Sequence, residues 1–229
     1  MTIAMKSHPA LRRRRMPVQP RAEATLAAIR EAALRILKQE GPGRLTTNRI
    51  AEVAGISIGS LYQYYPDKHA IAADICNSLL VADLGELDRY TEQSLFMAQK
   101  SLDETLRFFI REHIARHRKL YQQLRDFYLE IHWRYDFEAY MLERFPQRMT
   151  TANFLRIVFK RYRQELVSRD FSRAATMVVN AIEGTIHATL DHNPEQILDE
   201  AFSEELLALV LGYLKHPLPP PISSGQPPK

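Results

Sequence analysis

The sequence predicts an all-α fold, with a compact unit of three short helices at the N-terminal end and a larger helical domain after it. Three observations predict this. Apolar residues recur at spacings of three and four along most of the 229 residues, the period of one helix face. Side chains that cap helix starts stand just before these runs, and Ser101-Leu102-Asp103-Glu104 has the Ser-x-x-Glu pattern of a capping box. Glycine and proline fill the gaps, as at Gly41-Pro42-Gly43 and Pro66.

Composition narrows the function classes. A hydrophobic content of 45% supports a packed core, and the length holds one large or two modest domains. Residues 1–68 carry 12 Lys and Arg against 5 Asp and Glu, a net +7, whereas residues 69–229 carry 19 against 22, a net −3. The basic excess therefore belongs to the first unit. Much of it comes from Lys6, Arg12, Arg13, Arg14, Arg15 and Arg21, so the folded part of that unit is nearly neutral. The single cysteine, Cys76, allows no intrachain disulfide and reads as a small buried hydrophobe. No apolar run is long enough to span a membrane, and the basic N-terminus lacks the apolar stretch of a secretory signal. A cytoplasmic protein is expected.

Taken in order, residues 1–20 combine three prolines with four consecutive arginines and predict a disordered basic arm. Such an arm is either simply solvated or follows DNA phosphates. Leu26, Ile29, Ala33, Ile36 and Leu37 form the apolar stripe of a helix from about Arg21 to Glu40. Thr46 and Thr47 then supply a helix start, with Ile50, Ala51, Val53 and Ala54 on one side. Gly55 stops that helix, because glycine accepts the left-handed backbone of a tight turn. Ser57 caps a second helix, Ile58 to Tyr64, which turns Leu61 inward and leaves small residues, an amide and phenols outward. An ordinary solvated helix would carry Glu and Lys there. The face suits an element that enters a groove of duplex DNA and touches base edges. The expected core of this unit is Leu26, Ile29, Ala33, Leu37, Ile50, Ala54, Ile56, Leu61 and Tyr65.

These residues, LTTNRIAEVAGIS followed by GSLYQYYPDK and preceded by RAEATLAAIREAALRILKQEG, closely resemble the helix-turn-helix of TetR-family transcriptional regulators. The resemblance covers roughly Arg21 to Cys76 and implies a DNA-binding domain over 21–68, followed by a helical ligand-binding and dimerisation domain over 69–216. By that resemblance Thr47, Tyr62, Tyr64 and Lys68 contact phosphates, while Asn48, Ser57, Ile58, Gly59, Ser60 and Gln63 face the groove. Gln63 is the best base reader, able to pair bidentately with adenine. Gly59 departs from members that carry a side chain there, so close backbone approach replaces a base contact. One of Tyr62 and Tyr64 can equally serve only as packing.

Asp67 opens a long connector helix carrying Ile71, Ile75 and Leu79, expected to run past Leu87. Further helices are predicted from Ser101 to about Arg118, Leu120 to Trp133, Thr151 to Val167, Asp170 to Asp191 and Ser203 to Leu214. The density of rings with polar tips between Tyr121 and Phe145 has two readings, core filler or the lining of a cavity for a hydrophobic or amphipathic effector. With the resemblance, the second places the pocket at Phe109, His113, Tyr121, Tyr128, His132 and Trp133. His113 and His117 lie four apart as metal ligands can, but no third ligand stands at a telling spacing, so no metal site and no cofactor is expected. The last two helices carry broad apolar stripes with a mid-helix glycine, and the resemblance implies a dimer interface there, at Met177, Ala181, Gly184, Leu207, Val210 and Tyr213. The Pro- and Ser-rich tail over 217–229 should be disordered.

The expected function is sequence-specific transcriptional regulation, as a homodimeric repressor released from a palindromic operator by a small molecule. A non-specific dimeric DNA-binding protein and a helical protein-interaction adaptor are the alternatives. An enzyme is not expected, because no nucleophile with a base, no paired carboxylates and no phosphate loop stands at adequate spacing.

Overall fold

The computed structural model describes residues 13–14, 20–81, 84–168 and 170–217. Apart from Arg13, Arg14, Pro20 and Pro217, the expected arm and tail lie outside the described residues. Among the described residues all regular structure is helical.

α1 (Pro20–Glu40) buries Leu26, Ile29, Ala33 and Ile36 at 1% exposure or less. A 3-10 turn, Pro42–Arg44, follows, and Leu45 plugs the core behind it. α2 (Thr47–Val53) and α3 (Ile58–Tyr64) then pack on each other, with α1 against α2. Arg49 on α2 fastens this arrangement: its guanidinium lies 2.8 and 3.2 Å from the two oxygens of Glu40 at the end of α1. The expected core forms, with Leu61 and Tyr65 fully enclosed, although Leu37, Ala54 and Ile56 are only partly buried.

The single connector helix does not form as expected. α4 (Lys68–Leu80) ends at Val81, and α5 (Leu84–Lys100) begins afresh. One turn before the break the Ser78 hydroxyl donates to the Asp74 carbonyl at 2.7 Å, a back-bond that competes with the helical ladder. α6 (Leu102–Leu124) is longer than expected and starts at the Ser101 cap, whose hydroxyl accepts from the Glu104 amide at 3.0 Å. It absorbs the start of the next expected helix. Arg125, at φ +47°, breaks the run, and only the single turn α7 (Asp126–Leu129) follows, so His132 and Trp133 sit on irregular backbone. α8 (Phe137–Arg144), capped by Asp136, has no counterpart in the sequence reading. α9 (Thr151–Arg161) stops short of Val167.

α10 (Phe171–His192), capped by Asp170, is the centre of the second domain and packs against α6, α9, α11 (Ala201–Lys215) and the 3-10 turn Pro194–Leu198. Its inward stripe is Ala174, Val178, Ile182, Ile186 and Leu190. α4 also touches α6, which joins the two halves. No helix among the described residues is long and apolar enough to cross a membrane.

Candidate functional site

The α2–α3 pair is built by caps at both starts and a glycine between. The Thr46 hydroxyl accepts from the Arg49 amide at 3.2 Å, and the Ser57 hydroxyl accepts from the Ser60 amide at 3.1 Å. Gly55 takes φ +68°, and the Ile56 amide donates back to the Ala51 carbonyl at 3.0 Å, which closes the turn. Leu61 and Tyr65 clamp α3 from beneath. What remains outward is Ser57, Ile58, Gly59, Tyr62 and Gln63, with Ser60 half-buried beside them and Asn48 exposed on α2. Of the two tyrosines, Tyr62 is 40% exposed and its hydroxyl lies 3.1 Å from that of Thr47, whereas Tyr64 is half-buried against the core. Tyr64 is therefore a packing residue first.

Sequence reasoning missed Asp74. This carboxylate is buried on α4 and accepts from the Tyr65 hydroxyl at 2.5 Å, from Arg30 at 3.0 Å and from Arg13. Burial, followed by the adjacent Asp74 charge, raises the Tyr65 phenol well above its ordinary pKa and keeps it a donor. The same network fixes the described part of the arm. Next to it the Arg14 amide donates to the Tyr64 carbonyl at 2.7 Å and its guanidinium to the Tyr62 carbonyl at 3.2 Å, which sets a cation at the carbonyl end of α3.

Lys68, at the first turn of α4 after the Asp67 cap, is held by the second domain. Its ammonium stands 2.9 Å from Glu130 and 5.2 Å from the Phe127 ring centre, and His69 also reaches Glu130 at 3.3 Å. The space between the halves is lined by Thr47, Tyr62, Asp67, Lys68, Asp126 and Glu130, among others.

In the second domain Phe109, His113, Tyr128 and His132 are buried, and Trp133 is 41% exposed. Ring contacts bring His117 and His187 into the same group: His132 stacks on His187 at 4.9 Å, Trp133 on His187 at 4.8 Å, and His117 meets His187 edge-on at 5.1 Å. Tyr121 is not part of this group. Its hydroxyl donates to Glu195 at 2.8 Å. Glu183 on α10 lies between the histidines, touching His113 and standing 3.5 Å from His117 Nε2 and 3.6 Å from His187 Nε2. Burial pushes the His113 pKa down to about 4 and that of His187 to about 3, so both rings are neutral at pH 7. Burial alone would raise the Glu183 pKa, but His113 and His117 hold it well below the carboxylate range. Glu183 and His187 stand four apart on one helix, as His113 and His117 do, and that doubled spacing was the signal available in the sequence.

The residues expected at a dimer interface divide. Met177 is 50% exposed, and Ala181, Gly184 and Tyr213 are half-buried. Leu207 and Val210 are corrected: at 3% and 2% exposure they fill this chain's own core with Leu206 and Leu214, and Leu209, 57% exposed, is a large apolar residue that α11 turns outward. Cys76 is fully buried, and burial raises its thiol pKa.

Two family models match the chain. Residues 29–75 match the bacterial regulatory proteins of the tetR family, and residues 101–214 match the tetracyclin repressor-like C-terminal domain. An uncharacterized HTH-type transcriptional regulator, YxbF of Bacillus subtilis strain 168, is 40% identical over 57 residues, which is 25% of this chain and 15% of that relative. Among solved structures, Thermus thermophilus FadR, described as a TetR-family transcriptional repressor in complex with lauroyl-CoA, is 20% identical. The match covers 85% of this chain and 97% of that one, with a TM-score of 0.52, and so shows a shared fold. The fatty acid degradation regulator FadR of Bacillus halodurans is 16% identical over 88% of this chain and 100% of that one, with a TM-score of 0.43.

Proposed function

The chain belongs to the tetR family of bacterial regulatory proteins, DNA-binding transcriptional regulators rather than enzymes, and from that premise we propose that it is a cytoplasmic homodimeric repressor. It holds a palindromic operator and leaves it when a small hydrophobic or amphipathic molecule enters the second domain. The observation that carries the DNA reading is the outward face of α3. It is uncharged, capped, and seated on a fully buried Leu61, so a short helix is presented rigidly with Ile58, Gly59, Tyr62 and Gln63 free to meet a groove. The 3.1 Å contact between the Thr47 and Tyr62 hydroxyls supports a reading in which the two share one phosphate. Arg14, at the end of α3, gives the reader a cation that its nearly neutral helices lack.

Two-fold pairing follows from the size of the reader. One seven-residue helix spans few base pairs, and a dimer that presents two of them about 34 Å apart reads two half-sites on one face of the duplex. Met177, Ala181, Gly184 and Tyr213 remain the proposed dimer surface, with Leu209 added. The ring group around Phe109, His113, Tyr128, His132 and Trp133 is the proposed effector region.

In vitro selection of bound duplexes by the full chain should return a palindromic motif. Gln63→Ala should relax the preference at one symmetric position and cost about 1–3 kcal/mol there. An identical motif from both proteins would remove Gln63 from the reading face, and no motif at all would overturn sequence-specific binding.

A further inference from the structure

We propose that His117, Glu183 and His187 bind one divalent transition-metal ion of the zinc class inside the second domain. Their candidate ligand atoms all lie within 4.8 Å of one another. The Nε2 atoms of His117 and His187 stand 3.5 and 3.6 Å from the same Glu183 oxygen. Those separations are too long for good hydrogen bonds, whereas two ligands bound to zinc at 2.0–2.1 Å in a tetrahedron stand about 3.4 Å apart.

Hydrogen bonding behind the His187 ring fixes which of its nitrogens is bare. Asp191 is acceptor-only when ionised, and it lies 2.9 Å from His132 Nε2, which must carry that hydrogen. His132 Nδ1 is then an acceptor and faces His187 Nδ1 at 2.7 Å, so His187 donates there. Its Nε2 is left with a lone pair 3.6 Å from a carboxylate oxygen, two acceptors side by side. A cation between them resolves that conflict. His117 Nδ1 lies 2.7 Å from the buried Tyr128 hydroxyl, which accepts the ring hydrogen when Nε2 binds a metal, and Trp133 donates to the far oxygen of Asp191 at 2.6 Å. Metal-bound histidines depend on such outer partners.

Charge and access agree. Glu183 and Asp191 oppose the Arg116 guanidinium, which lies 2.8 Å from the neighbouring His113. The Glu183 side chain is 34% exposed while those of His117 and His187 are 10% and 6%, so the carboxylate is the side of the site nearest solvent. Two imidazoles and one carboxylate select zinc, cobalt or nickel over magnesium or calcium.

The test is titration of the chelator-stripped full chain with Co(II), read by visible absorption and followed by Zn(II) competition. One tetrahedral-type Co(II) per chain is expected, displaced by Zn(II) and indifferent to excess Mg(II). Glu183→Gln and His187→Gln should weaken binding at least about 100-fold and Asp191→Asn about 10-fold, while His192→Gln, at an exposed position, should change nothing. Binding unchanged by the first two substitutions, or less than half an equivalent on the wild-type chain, overturns the site. If a variant loses its helical circular dichroism, the wild type decides alone: its melting midpoint should rise with Zn(II) and saturate at one equivalent, and a midpoint indifferent to Zn(II) overturns the site. None of these readouts involves DNA, so they stand or fall apart from the operator reading.

Discussion

Lys68 is claimed by two partners. Its place after the Asp67 cap and its match to a phosphate-contacting position point it at DNA, yet its ammonium rests 2.9 Å from Glu130 on the second domain. In the proposed complex a phosphate would compete with this internal carboxylate. Lys68→Ala should weaken operator and non-operator binding alike and lower the slope of log K against log salt by about one. Glu130→Gln should strengthen both, because it releases the cation without moving it. Salt titrations of the two variants check this, and a slope unaltered in Lys68→Ala removes the residue from the phosphate set. The motif made the place of Lys68, in the first turn after the Asp67 cap, legible, since that cap is local in the sequence. Glu130 was not legible. It follows the single-turn α7 that begins after the positive-φ Arg125, and its contact with Lys68 joins residues far apart in the sequence.

Among the elements, α1, α2, α3 and α10 were legible because their caps and apolar periods are local. The connector helix and the region from 120 to 145 were not, since the end of α4 at Val81 and the reversal at Arg125 interrupt apolar periods that the sequence carries through. The candidate metal ligands show the same limit: each i,i+4 pair lies open in the sequence, but only the packing of α6 on α10 makes them one group. Gly184 gives α10 a test of its own. A Cβ built there meets nothing within 4 Å, so the chain's own packing does not require glycine. Alanine should stabilise the isolated fold by about 1 kcal/mol through helix propensity. If α10 packs closely against a second chain, Gly184→Ala should instead weaken the dimer by tenfold or more in sedimentation equilibrium. A variant that melts higher and dimerises as well as the wild type would move the interface off this stripe.

At the scale of the whole molecule, the cations of the reading unit are largely engaged within the protein. Arg13 and Arg30 meet Asp74, Arg49 lies between Glu40 and Glu52, and Lys68 meets Glu130. Electrostatic grip by one unit is correspondingly weak, and affinity has to come from holding two readers on one duplex, where the second binds at an effective concentration of about millimolar. That dependence on geometry is testable in the DNA. Inserting about 5 base pairs between the half-sites turns the second half-site to the opposite face of the duplex, since a turn takes about 10. The full-length dimer should then bind no better than it binds one half-site, a loss of at least about 100-fold. An insertion of about 10 base pairs restores the face but adds about 34 Å of separation, and should recover affinity only as far as the second domain lets the readers spread. Binding indifferent to both insertions would mean that each reader acts alone, and an effector in the second domain would then have no spacing through which to control release.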